Sequence, residues 1–177
     1  MPLCGVVIIR YVWSISSGTP VDPLEVFSLE KAIIGNVGLY LVASKLSEMG
    51  FNVATTSRNT KGCDLIVLDP LNGKSCALQV KTIFHKQTPL IIGSGRYDRL
   101  DELKLLYNFV IVKREESVYR YYIVPREDMK RLIEEAWKHF VEKGCHHKPP
   151  DPSMKQPLDI YTWQLEPYEE KWEGVWA

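Results

Sequence analysis

The spacing of apolar positions changes repeatedly along the chain, and each change predicts an element. Ile33, Val37, Leu41 and Leu46 recur at helical spacing, with Tyr40 and Ala43 beside them, which predicts a helix from Ser28 to about Met49. Ser28 is placed to cap it, Glu30 suits its positive end and Gly50 stops it. Gly35 and Gly38 fall inside and predict a close approach to another backbone, or a late helix start. Three β-rich runs follow, at Phe51 to Thr55, Asp64 to Asp69 and Ser75 to Phe84. Two more strands are expected at about Phe109 to Lys113 and Tyr119 to Pro125, joined by the charged turn 114–117. A second helix runs from about Arg126 to Lys143, with an apolar stripe of Met129, Leu132, Ile133, Ala136, Trp137 and Phe140 and a stop at Gly144. Residues 14–22, 93–96 and 145–156 read as loops. The last stretch holds Tyr161, Trp163, Tyr168, Trp172 and Trp176, dense enough to pack on the domain or on a partner chain.

The turn Pro70-Leu71-Asn72-Gly73 fixes more than a boundary. Proline presets its own φ and Asn-Gly accepts left-handed geometry, so this is a hairpin turn. Closing it with Asp69 opposite Lys74 places Ile66 opposite Ala77 and Asp64 opposite Gln79. Directly opposed residues share a face, and Lys81, two positions on, shares it too. A carboxylate, an amide and an ammonium group thus converge at one end of a two-stranded ribbon. That set suits phosphodiester hydrolysis. Oxygen donors hold Mg²⁺, the ion activates water, and a lysine orients or deprotonates that water and stabilises the developing charge.

The 177 residues suit a single domain; hydrophobic residues make up 45% and charged residues 25%, a globular balance. Lys plus Arg and Asp plus Glu are both 22, so net charge is zero and any nucleic-acid surface comes from uneven distribution. Candidates for that surface are Arg58 and Lys61 before Asp64, Lys86 after the third strand, and Arg96 in the Gly-Ser-Gly stretch. Cys4, Cys63, Cys76 and Cys145 are scattered without metal-type spacing and read as free thiols of a reducing, cytoplasmic protein. Cys145-His146-His147 lacks a further ligand at fixed spacing. The apolar run Leu3 to Ile15 has no preceding basic residue, is interrupted by Arg10 and is too short to span a membrane. It reads as a strand or as an extension ahead of the true start.

The spacing from Asp64 to Gln79-Val80-Lys81, preceded by a helix and a strand, resembles the PD-(D/E)xK nuclease superfamily, and in particular small prokaryotic proteins of that group. The resemblance covers about Leu29 to Tyr122. It implies an α/β, restriction-endonuclease-like three-layer core, with a mixed central sheet of about five strands flanked by helices. Residues 28–144 would form that core, 1–27 an N-terminal extension and 145–177 a Trp-rich extension packed on the core or a partner. The resemblance also implies Mg²⁺, with Mn²⁺ as substitute, held by Asp64 and Gln79. Lys81 would assist the water, DNA or RNA would be the substrate, and a homodimer would use the Trp-rich tail. Two departures stand out. Gln79 is neutral where the family has Asp or Glu, and Val37, Gly38 and Leu39 stand where a helix glutamate is usual. The same fold without catalysis, as a nucleic-acid-binding module or a protein-interaction domain, is the alternative reading.

Overall fold

The structure, a computed structural model, describes residues 12–13, 20–21, 31–56, 63–84, 89–102, 105–115, 118–143 and 151–177. Its elements in chain order are β1 (Val12–Trp13), β2 (Pro20–Val21), α1 (Lys31–Glu48), β3 (Asn52–Thr55), β4 (Leu65–Leu68), β5 (Ser75–Ile83), β6 (Leu90–Gly95), β7 (Asn108–Glu115), β8 (Val118–Val124), α2 (Arg126–Glu142) and β9 (Gln156–Ile160). Short 3-10 segments occupy Tyr97–Glu102, Thr162–Tyr168 and Trp172–Trp176. The predicted cap Ser28, the helix stop Gly144, and Cys4, Cys145, His146 and His147 lie outside the described residues. No helix among the described residues is long and apolar enough to cross a membrane.

A five-stranded mixed sheet, ordered β3-β4-β5-β7-β8, forms the middle layer. The β5–β7 pair is parallel and the other neighbours are antiparallel. β7 is buried from Asn108 to Val112, as a strand covered on both faces should be. Alternation then divides the core in two. On the back face, Leu65, Val67, Leu78, Val110, Val112 and Ile123 pack with Val42 and Leu46 of α1 and with Trp172 and Val175. On the front face, Ile83, Phe109, Ile111, Tyr122 and Val124 pack with Met129, Leu132 and Ile133 of α2 and with a β6–β9 ribbon. The front cover stops short of β4, whose Ile66 and Leu68 remain exposed.

Three expectations are corrected. Residues 93–96 are not a loop: 93–95 belong to β6, paired with β9 through an irregularity between Ile91 and Gly93. A Cβ at Gly95 would come within 2.9 Å of Leu158 Cδ1, so glycine there admits the neighbouring strand's side chain. Pro20–Val21, inside the expected loop 14–22, pairs with Val12–Trp13. The turn predicted at 114–117 is shorter, because the β7–β8 ladder continues to Glu115↔Val118. Of the two destinations expected for the tryptophan-rich tail, the core or a partner, Trp172 takes the core. Trp172 is buried beside Tyr121 and Trp176 meets Phe51 edge-on, while Trp163 is 52% exposed.

Asn108 ties three parts of the chain together. Its Oδ1 accepts the Arg126 N–H at 2.9 Å, a cap for α2 supplied by a strand because Pro125 offers none. Its Nδ2 donates among the carbonyls of Gly174, Val175 and Ala177 at 3.0–3.2 Å. Asn108→Asp keeps the shape but sets a carboxylate against those carbonyls. It is expected to lower urea-unfolding stability by about 2–4 kcal/mol at neutral pH. Gly38 is the contact of α1 with β5. A Cβ there would overlap Thr82 Oγ1 and lie 3.0 Å from Thr82 Cβ and Cγ2, whereas one at Gly35 meets nothing within 4 Å. Gly38→Ala should therefore destabilise, while Gly35→Ala on the same helix should gain about 0.5–1 kcal/mol in the same assay.

Candidate active site

The β4–β5 hairpin has the register its turn predicts. Leu65 pairs with Leu78, Ile66 with Ala77, Val67 with Cys76 and Leu68 with Ser75. The Asp69 N–H donates to the Lys74 carbonyl at 2.8 Å, and Gly73 takes φ 70°. Two side chains rigidify the turn: Asp69 Oδ1 accepts the Leu71 N–H and Asn72 Oδ1 accepts the Lys74 N–H, both at 2.8 Å.

Asp64 stands one residue before this ladder. Its amide donates to the Leu78 carbonyl at 2.8 Å and its carbonyl accepts the Thr56 N–H at 3.0 Å, so its backbone is fixed between β3 and β5. Its Oδ2 accepts the Val80 N–H at 2.8 Å. Val80 follows the point where β4 stops pairing, so the carboxylate satisfies an amide that the ladder leaves over. Val80 is also the residue between Gln79 and Lys81 in the motif. The anchored carboxylate therefore lies against the strand at the motif itself.

Gln79 and Lys81 have front-face parity, opposite to Leu78 and Val80, which pack towards α1. They pair with Phe109 and Ile111, both under the front cover, while the next strand on their other side, β4, is open. Both side chains are half-buried at this border, and neither has a hydrogen bond or ion pair among the described residues. A half-buried ammonium without a counter-ion is uncommon, because desolvation normally brings an acid to it.

The other front-face cations of the sheet are matched. Lys113 and Arg120 sit directly opposite each other, and Glu115 bridges both while Glu169 takes the second side of Arg120. The Lys113 hydrogen bond, with Arg120 adding to it, holds the Glu115 carboxyl below the usual range. Sequence reading did not single these residues out; strand parity is the signal that places them. Arg96 also makes a two-pronged pair, with Nε to Asp98 Oδ1 at 3.0 Å and Nη2 to Oδ2 at 2.7 Å. Its charge is compensated locally. Arg58, Lys61 and Lys86 lie outside the described residues.

For a divalent cation, the motif supplies the remaining oxygen of Asp64 and the amide oxygen of Gln79. These are the right donor type but carry one formal charge. Among the described residues no three His, Cys, Asp or Glu converge to hold a metal. α1 supplies no acid to the front face: Gly38 abuts Thr82 on the back, and Glu48 pairs with Lys45 at the far end. The donor set fits a weakly held, largely hydrated ion. Cys63 and Cys76 are free thiols, and burial pushes Cys76 up to about 11, which keeps it protonated and unreactive.

Because Asp64 is both anchor and candidate ligand, its substitutions separate the two roles. Asp64→Ala orphans the Val80 amide and should cost about 1–3 kcal/mol in chemical unfolding. Asp64→Asn keeps an oxygen for that amide while removing the charge, and should unfold within about 1 kcal/mol of wild type.

No protein-family model matches the chain, and no curated protein matches it. Among solved structures, a bacterial homing endonuclease is similar, with 15% identity, a TM-score of 0.46 and coverage of 80% of this chain and 90% of that one. A Holliday junction resolvase from Archaeoglobus fulgidus is similar over 52% of this chain and 73% of that one, with 13% identity and a TM-score of 0.33. The chain itself is a mixed α/β protein with a five-stranded mixed sheet flanked by helices.

Proposed function

We propose that the protein is a nuclease that hydrolyses phosphodiesters of DNA or RNA with Mg²⁺, Mn²⁺ serving as substitute, from the Asp64, Gln79 and Lys81 ledge. The observation that carries this reading is Lys81, half-buried and without an ion pair among the described residues, next along β5 to Val80, whose N–H the Asp64 carboxylate accepts. A phosphate would supply Lys81 with a counter-charge. The open face over β4 leaves room for a polymeric substrate to approach from that side. The ion, where bound, would be held by the free oxygen of Asp64 and by Gln79, and would polarise phosphate and water. Lys81 would orient the water and stabilise charge developing on phosphate oxygens. The free thiols fit a reducing, cytoplasmic setting.

One observation favours a second reading, a non-catalytic nucleic-acid-binding module on the same fold: α1 brings no carboxylate to the ledge. The two readings separate in one experiment. Wild type, Asp64→Asn and Lys81→Ala are incubated with DNA and RNA in Mg²⁺ or Mn²⁺, and metal binding is followed by calorimetry. The nuclease reading expects cleavage by wild type and a loss of about 10²-fold or more in each variant, without loss of folding. It also expects Gln79→Glu to tighten metal binding at least tenfold, since a second carboxylate joins the first. Salt-sensitive binding without cleavage establishes the second reading. Neither binding nor cleavage removes both.

A further inference from the structure

The β4–β5 hairpin runs past the start of β7, whose first residue, Asn108, already pairs with Leu78. Residues 74–77 therefore have no β7 partner beside them, and the sheet is notched there. The start of α2 and residues 175–177 wall the notch into a cleft of about 520 Å³. Two cations, Lys74 and Arg126, line it, and no Asp or Glu among the described residues does. Neither cation has an ion pair or a side-chain hydrogen bond among those residues. For Arg126 that is exceptional in this chain. Arg96 faces Asp98, Arg99 faces Glu102, Arg120 faces Glu115, Arg131 faces Asp128, and Arg114 lies over the Phe84 ring. Asn108 fixes the wall without neutralising it: its Oδ1 holds the Arg126 N–H and its Nδ2 the carbonyls behind. The Ala177 oxygen in the wall is likewise held by Asn108 Nδ2, at 3.0 Å, and pairs with neither cation.

We propose that this cleft binds a phosphomonoester on an organic body, as a mononucleotide or the phosphorylated end of a nucleic-acid strand carries it. An arginine fork fits two phosphate oxygens and a lysine adds a point charge. Two cations match the near-dianion of a phosphomonoester, whereas a carboxylate would leave one of them uncompensated. The volume lies in the range of small-molecule sites and exceeds what a bare phosphate fills. The rest of the ligand lies against Leu106, Val175 and Trp176, the apolar part of the wall. Leu106 is 62% exposed, so covering it removes apolar surface from water. The cleft contains neither Gln79 nor Lys81 and needs no metal ion. It therefore stands apart from the nuclease reading.

Titration of adenosine 5′-monophosphate into the ¹⁵N-labelled full chain, with EDTA present so that no strand is cut, tests it by amide chemical shifts. Shifts are expected at Ser75, Cys76, Arg126 and Trp176, with a Kd at or below about 1 mM. Adenosine, which lacks the phosphate, should bind at least about tenfold more weakly. Lys74→Ala with Arg126→Ala should weaken the monophosphate at least about tenfold, and the same spectra report that the fold is kept. Lys74→Glu, at an exposed position outside α2, should lose as much and serves if the double variant unfolds. A trinucleotide with and without a 5′ phosphate separates the two sources. Preference for the free monophosphate assigns a nucleotide site, and preference for the phosphorylated trinucleotide assigns a strand-end site. No shift by about 10 mM overturns the proposal. Shifts centred on Gln79 and Lys81 overturn it by moving the anion to the ledge. Equal binding of adenosine, or a charge variant that binds as wild type does, overturns it as well.

Discussion

The fold turns on the parity that one hairpin imposes on β5. The 70–73 turn closes with Asp69 opposite Lys74, and from that point every residue of β5 is assigned to one face or the other. A slip of one residue would exchange Leu78 for Gln79 on the back face and bury a polar strand against α1. Leu78 is fully buried there, packed with Val42 and Leu46, so the slip would cost several kcal/mol of apolar burial. The turn has its own lock in the Asp69 and Asn72 side chains. Local turn chemistry and sheet-wide burial select the same register, and that agreement makes it unique.

The candidate site follows from this parity together with uneven cover. Both faces of β7 are sealed, by α1 and residues 172–175 behind and by α2 and the β6–β9 ribbon in front. β4 is sealed only behind. Gln79 and Lys81 stand where the front cover ends, which leaves them half-buried rather than solvated or enclosed. A charged group at such a border is partly desolvated yet reachable, the setting in which an ammonium acts most strongly on an approaching anion. The same border explains Asp64. Its strand begins one residue later, an amide of β5 is left without a ladder partner, and the carboxylate fills that vacancy while staying beside the motif.

Charge in this chain is balanced overall, and several cations among the described residues are also balanced locally. Lys113, Arg120, Arg96 and Arg131 each face at least one acid. Exposed pairs of this kind add little stability, but they remove free charge from the surface. Against that background Lys81, half-buried and without an ion pair among the described residues, stands out more than it would in a basic protein. The neutral Gln79 fits the same theme: the ledge carries one acid and one base, and it gains a net charge only through what it binds.

The sequence determined whatever local chemistry could decide. The 70–73 turn carried the hairpin register, and with it the shared position of Asp64, Gln79 and Lys81. The periodicity of Met129 to Ala136 predicted α2, and the β-rich run at about Phe109 to Lys113 predicted the central strand. Tertiary structure decided the rest, because the deciding partner is distant along the chain. β6 looked like a glycine loop until Gly95 found Gln156 and Leu158, some sixty residues on. Arg96 looked free until Asp98 closed on it. The tryptophan tail offered two destinations, and inward packing onto Ile123 and Val110 took Trp172. That Asp64 is an anchor as well as a candidate ligand depends on β4 beginning one residue after it, which leaves the Val80 amide for its carboxylate to satisfy.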